Sequence, residues 1–116
     1  MNDDRLQRLK DAGIDVNDAL NRFMGNESLL ERFLNKFVAD QNFKKLGDAI
    51  AAGDNEAALA ASHTLKGVCG NLSMTVLSEL LTKQVKAYRD GDPAAAESLM
   101  SEITAAYDKT VAAIND

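Results

Sequence analysis

The chain is short of the residues that most catalytic and cross-linked proteins rely on. It has one histidine, one cysteine, one proline and no tryptophan, and aromatic residues make up only 5%. A lone cysteine excludes an intramolecular disulfide and points to a reducing compartment. No apolar run approaches the roughly 18 residues of a membrane span. Basic residues are too few for a phosphate-binding face: the formal net charge is −5, which argues against a nucleic-acid partner. The opening Met1-Asn2-Asp3-Asp4 is acidic and lacks the apolar core of a secretory signal. No glycine-rich nucleotide loop is present, and 116 residues cannot also hold a kinase domain. These absences lead us to expect an acidic, cytoplasmic protein without autokinase activity.

What is present is helical pattern. With 46% hydrophobic residues the chain can bury a core, and apolar positions recur at three and four rather than two. A short helix is expected around Asp3–Asp11 and a second around Asn17–Met24, capped by Asn17. A longer one starts at Asn26-Glu27 and carries Leu30, Phe33, Leu34 and Phe37. Leu46 falls about 180° from Phe37 on the wheel, so the stripe changes face near Asp40–Asn42, and a bend is expected there. Gly53-Asp54 reads as a helix stop followed by a cap, opening a helix that ends near Gly70–Leu72. The next runs from about Thr75 to Tyr88. Gly91-Asp92-Pro93 then starts a last helix with Leu99, Ile103, Ala106, Tyr107, Thr110, Val111 and Ile114 on one side. Four amphipathic stripes on short connections predict an all-α, antiparallel up-and-down four-helix bundle with short N-terminal helices, one domain over residues 1–116.

The only histidine, His63, lies in Ala61-Ser62-His63-Thr64-Leu65-Lys66-Gly67-Val68-Cys69-Gly70. On a wheel centred on it, Lys66 falls about 60° to one side, Gly67 about 40° to the other and Gly70 about 20° away. Ala61, Leu65, Val68 and Leu72 gather on the opposite side. His63 is therefore expected on the solvent face, beside a cation and two residues without side chains. Gly67 within a helix costs about 1 kcal/mol relative to alanine, and a bare patch lets another backbone come close. Gly70-Asn71 reads equally well as a left-handed helix end. Leu59, about 40° from His63, reads equally as a bundle-edge residue or a docking contact, and Phe43 shares that ambiguity. Cys69 reads as a packing residue. Lys83, Lys86 and Arg89 form a basic group that usually means a solvated face, and that could also steer an acidic partner.

His63-Thr64-Leu65-Lys66-Gly67, followed by Gly70-Asn71-Leu72, resembles the signature of histidine-containing phosphotransfer (HPt) domains of multistep two-component signalling. The resemblance extends to Gly13-Ile14-Asp15, Arg22-Phe23-Met24-Gly25-Asn26, Gly53-Asp54 and Gly91-Asp92. It implies that His63 is the phosphorylated residue, Lys66 the cation beside the phosphoryl group and Gly67 the close-approach position. It also implies that receiver domains of response regulators or hybrid kinases are the partners, and that they supply the aspartate and the Mg²⁺. No cofactor is expected on this chain, which is expected to be a monomer. One position departs from the pattern: Ser73 stands where the family usually has glycine, and serine there is expected to cap the next helix. The chemistry agrees with the resemblance. A solvated imidazole is largely neutral at neutral pH and keeps a lone pair able to attack phosphorus. The alternative is a degenerate bundle that only binds a partner, against which intact His63, Lys66 and Gly67 count. A third reading, the dimerisation hairpin of a sensor kinase, would not need four stripes.

Overall fold

The structure, a computed structural model, describes residues 1–116. Eight helices follow one another: α1 (Asp3–Asp11), α2 (Val16–Arg22), α3 (Glu27–Ala39), α4 (Asn42–Ala51), α5 (Asn55–Asn71), α6 (Thr75–Arg89), α7 (Pro93–Ser98) and α8 (Met100–Asn115). There are no strands, only an isolated bridge between Ile14 and Met74. α3–α4, α5, α6 and α7–α8 form the four limbs of the bundle, with α5 packed between α4 and α6, and α8 meeting α6, α3 and α1. The molecule is elongated, 43 × 23 × 20 Å. No helix is long and apolar enough to cross a membrane.

Local signals explain most helix starts. Side chains of Asn2, Asp15, Asn26, Asp54 and Asp92 each accept a hydrogen bond from a backbone N–H three residues on, satisfying donors that a helix start leaves without partners. The cap of α2 is Asp15, not Asn17: its carboxylate accepts from the Asp18 N–H at 3.0 Å, which starts the helix earlier than expected. That helix also ends sooner, at Arg22, because Met24 and Gly25 turn to positive φ.

The limb expected to bend is broken instead. Asp40 is extended (ψ 136°), and its carboxylate accepts from the backbone N–H and side-chain amide of Asn42 at 2.8 and 2.9 Å. Both halves reach α8, where Phe37 of α3 and Phe43 of α4 pack on Tyr107, and α4 also lies along α5. The last limb is also interrupted, at Leu99, whose N–H donates to the Ala96 carbonyl in a tighter turn.

Phe33 departs from its expected burial. It is 36% exposed, packed against Phe23 (centroids 5.1 Å apart) with the Lys36 ammonium 4.8 Å above its ring. The neighbours of α3 are α2 and α8, and they cover Leu30, Leu34 and Phe37 but leave Phe33 at the edge. Phe43 stacks on Tyr107 at 3.9 Å and lies against the core, so it is a bundle-edge residue.

Candidate functional site

α5 is built for a small inner face and an open outer one. Its buried residues are Ala58, Ala61, Ser62, Leu65 and Cys69. His63 and Gly67 are exposed, and Lys66 and Gly70 are half-buried. His63 and Lys66 take part in no ion pair. The Thr64 hydroxyl bonds back to the Ala60 carbonyl at 3.0 Å, away from any role beside the imidazole. At three residues' separation, Lys66 is a helical neighbour of His63.

The two glycines are open. A Cβ added at Gly67 or Gly70 would meet nothing within 4 Å, and neither residue has positive φ. Nothing inside the molecule requires glycine at either place. Leu59 is half-buried and packs against the core. Cys69 is fully buried; burial, reinforced by the nearby Asp40 charge, pushes its thiol up to about 12, so it stays protonated and unreactive. In the basic group on α6, Lys86 is held by Asp90 at 2.6 Å. No three His, Cys, Asp or Glu side chains gather where they could hold a metal ion.

The end of α5 differs from what its residues led us to expect. Asn71 remains helical, and the left-handed residue is Ser73, at φ +54°. Ser73 does not cap α6, whose start at Met74 has no side-chain cap. Its hydroxyl instead donates to the Asp18 carboxylate at 2.5 Å, and Asp18 also accepts from Arg22 at 3.0 Å. These bonds, the one from Ser73 first, hold the Asp18 carboxyl below its ordinary 3.8. The left-handed backbone is the physical reason glycine suits this position.

A model of the family described as Hpt domain matches residues 28–113. The chain belongs to the Hpt domain family. Hpt domains carry out histidine phosphotransfer in two-component phosphorelays and interact there with receiver domains. No curated protein and no solved structure matches the chain significantly. Within this Hpt domain a recess of about 580 Å³ lies between α2, α3 and α5 and does not include His63. The candidate site is an exposed helix face rather than a recess.

Two features escaped sequence reasoning. Gln84 on α6 is wholly buried and accepts a hydrogen bond from buried Ser62 at 2.7 Å. Its position was the missed signal: Gln84 lies between Leu77, Leu81 and Tyr88 at helical spacing, in the middle of an apolar stripe. Ser62, next to His63, carries no such signal, because a small residue fits either face.

Proposed function

We propose that His63 is the phosphoryl carrier, accepting from and returning to receiver-domain aspartates. In the forward step a neutral imidazole nitrogen attacks the phosphorus of an aspartyl phosphate. The new N–P bond forms as the acyl phosphate P–O bond breaks, the aspartate leaves as carboxylate, and the ring proton goes to solvent. The return step reverses these changes. The group on His63 carries about two negative charges, which Lys66, one helical turn away, offsets. The receiver brings the acceptor carboxylate and the Mg²⁺, and this chain contributes a positioned nucleophile and an unobstructed approach.

The observation that carries this reading is the bare ground beside the histidine. Gly67 occupies a helix interior at a cost of about 1 kcal/mol, although a Cβ there would touch nothing. Access from outside accounts for it. Gly70 extends the same open strip, and half-buried Leu59 lies at its border as a docking contact. The chain acts as a cytoplasmic monomer, its domain spanning residues 1–116.

Incubation with a phosphorylated receiver tests the reading. The protein should gain an acid-labile, base-stable label that His63→Gln abolishes, and ATP alone should give none. A label that survives His63→Gln overturns the assignment. Binding of receivers without any labelling would favour the degenerate, binding-only bundle.

A further inference from the structure

We propose that Gln84, through Ser62, is a positioning residue that sets the rotation of the His63 helix; this rests on His63 being the phosphoryl carrier. The fully buried face of α5 is made of Ala58, Ala61, Ser62 and Cys69, with Leu65 its one large side chain and half-buried Leu59 and Val68 at its edges. Helices set their relative orientation by fitting ridges of side chains into grooves, and small side chains make shallow ridges. Apolar packing by these small side chains therefore resists rotation of α5 less than large ones would.

A polar clamp stands at the weak place. Ser62 and Gln84 are both wholly buried. The Ser62 hydroxyl donates to Gln84 Oε1 at 2.7 Å, and Gln84 Nε2 donates to the Ala96 carbonyl at 3.1 Å and to the Met100 sulfur at 3.2 Å. One amide thus joins α5 and α6 to the interrupted last limb, on both sides of Leu99. Neither side chain has an unpartnered buried polar atom. Replacing both partners of such a pair by apolar groups of similar shape is often neutral or stabilising. What a buried polar pair adds is a directional preference for one arrangement over close alternatives. Here the preference acts on the residue next to His63. A rotation of about 10° at a radius of about 6 Å moves a side chain by about 1 Å. Misplacement by about 1 Å can cost a reaction up to about a hundredfold.

The test is the double variant Ser62→Ala/Gln84→Met, with Ser62→Ala beside it. Thermal unfolding, the NMR signals of the His63 ring and the first-order transfer rate at saturating phosphorylated receiver are measured on each. The double variant should unfold at or above the wild-type temperature, yet transfer about tenfold more slowly. Its His63 ring signals should broaden or split, a change that loss of stability alone would not produce. A folded double variant with wild-type transfer and a single sharp set of ring signals overturns the proposal. If the double variant does not fold, the same rate and ring signals in Ser62→Ala decide it by the same criteria. The ring signals do not depend on phosphorylation, so they remain informative even if His63→Gln keeps its label and the carrier assignment falls.

Discussion

Gly13 and Gly67 are the same residue type in opposite circumstances. Gly13 sits between α1 and α2 at φ +93°, and a Cβ there would lie 2.7 Å from a methyl carbon of Val76. Its carbonyl accepts from the Thr75 hydroxyl at 3.1 Å, and the next turn is tied on by the Asp15 N–H to the Ser73 carbonyl at 2.8 Å. The fold demands that glycine, because its backbone is left-handed and the start of α6 closes against it. Gly67 lies in regular helix with nothing near its missing Cβ. The fold would be served better by alanine. A glycine explained from within marks architecture; one with no internal reason fits the proposal of a surface kept clear for a partner.

Gly13→Ala should break the architectural side of this contrast. A left-handed non-glycine backbone costs roughly 1–2 kcal/mol and overpacking about 1–3 kcal/mol, so a loss of about 2–5 kcal/mol is expected in urea unfolding. The folded fraction should still transfer phosphoryl groups at the wild-type rate. Unchanged stability would mean that the turn has more freedom than its geometry implies.

Gly67→Gln should do the reverse. Its side chain points into solvent, so unfolding should stay within about 0.5 kcal/mol of wild type. Obstruction of the approaching receiver should cut transfer to His63 by about a hundredfold. Gly67→Ala should stabilise the bundle by about 0.5–1 kcal/mol. A Gly67→Gln protein that unfolds would make the glycine architectural after all, and one that transfers normally would remove the access argument.

Lys66→Ala sharpens the functional side further. Under the proposed mechanism its ammonium would share the phosphoryl charge with cations that the receiver supplies. Transfer should slow, or the phosphohistidine lifetime shorten, by about ten- to a hundredfold, corresponding to about 1.4–2.7 kcal/mol. No change in either rate would reduce Lys66 to a solvated neighbour.

The features legible in the sequence are those decided within a few residues. Asp3–Asp11 was expected as α1 and found with those bounds, and Gly53-Asp54 stops one helix and caps the next. His63, Lys66 and Gly67 could be placed on one face because an uninterrupted helix has a known period. The features that were not legible depend on distant neighbours. The chain leaves the helix at Asp40, whose carboxylate takes up the Asn42 N–H, and a change of face in the apolar stripe does not by itself tell such a break from a bend. Gln84 has no partner within its own helix, and its burial depends on Ser62 and Ala96 arriving from other helices. Phe33 looked like core until the bundle closed without covering it.

Ser73 stands between the two glycines in character, and Ser73→Gly should give the smallest effect, one that depends on pH. The backbone at φ +54° carries roughly 1–2 kcal/mol of strain, which glycine would relieve. Against this, glycine loses the hydroxyl that donates to Asp18. The Asp18 carboxyl is held below 3.8 in the folded protein, by the Ser73 bond first and by Arg22 second. A depressed folded value means that stability from the ionised carboxylate is present above 3.8 and is lost as pH falls through the folded value. The Arg22 contribution remains in both proteins, so the difference between them isolates the Ser73 bond. At pH 7 strain relief and bond loss oppose each other, and the two proteins should unfold at similar urea concentrations. Well below pH 3.8 the bond to the charged carboxylate is gone while the strain remains, so Ser73→Gly should become the more stable of the two. A stability difference that does not shift toward the glycine variant on acidification would show that the serine is kept at this left-handed turn by something other than Asp18.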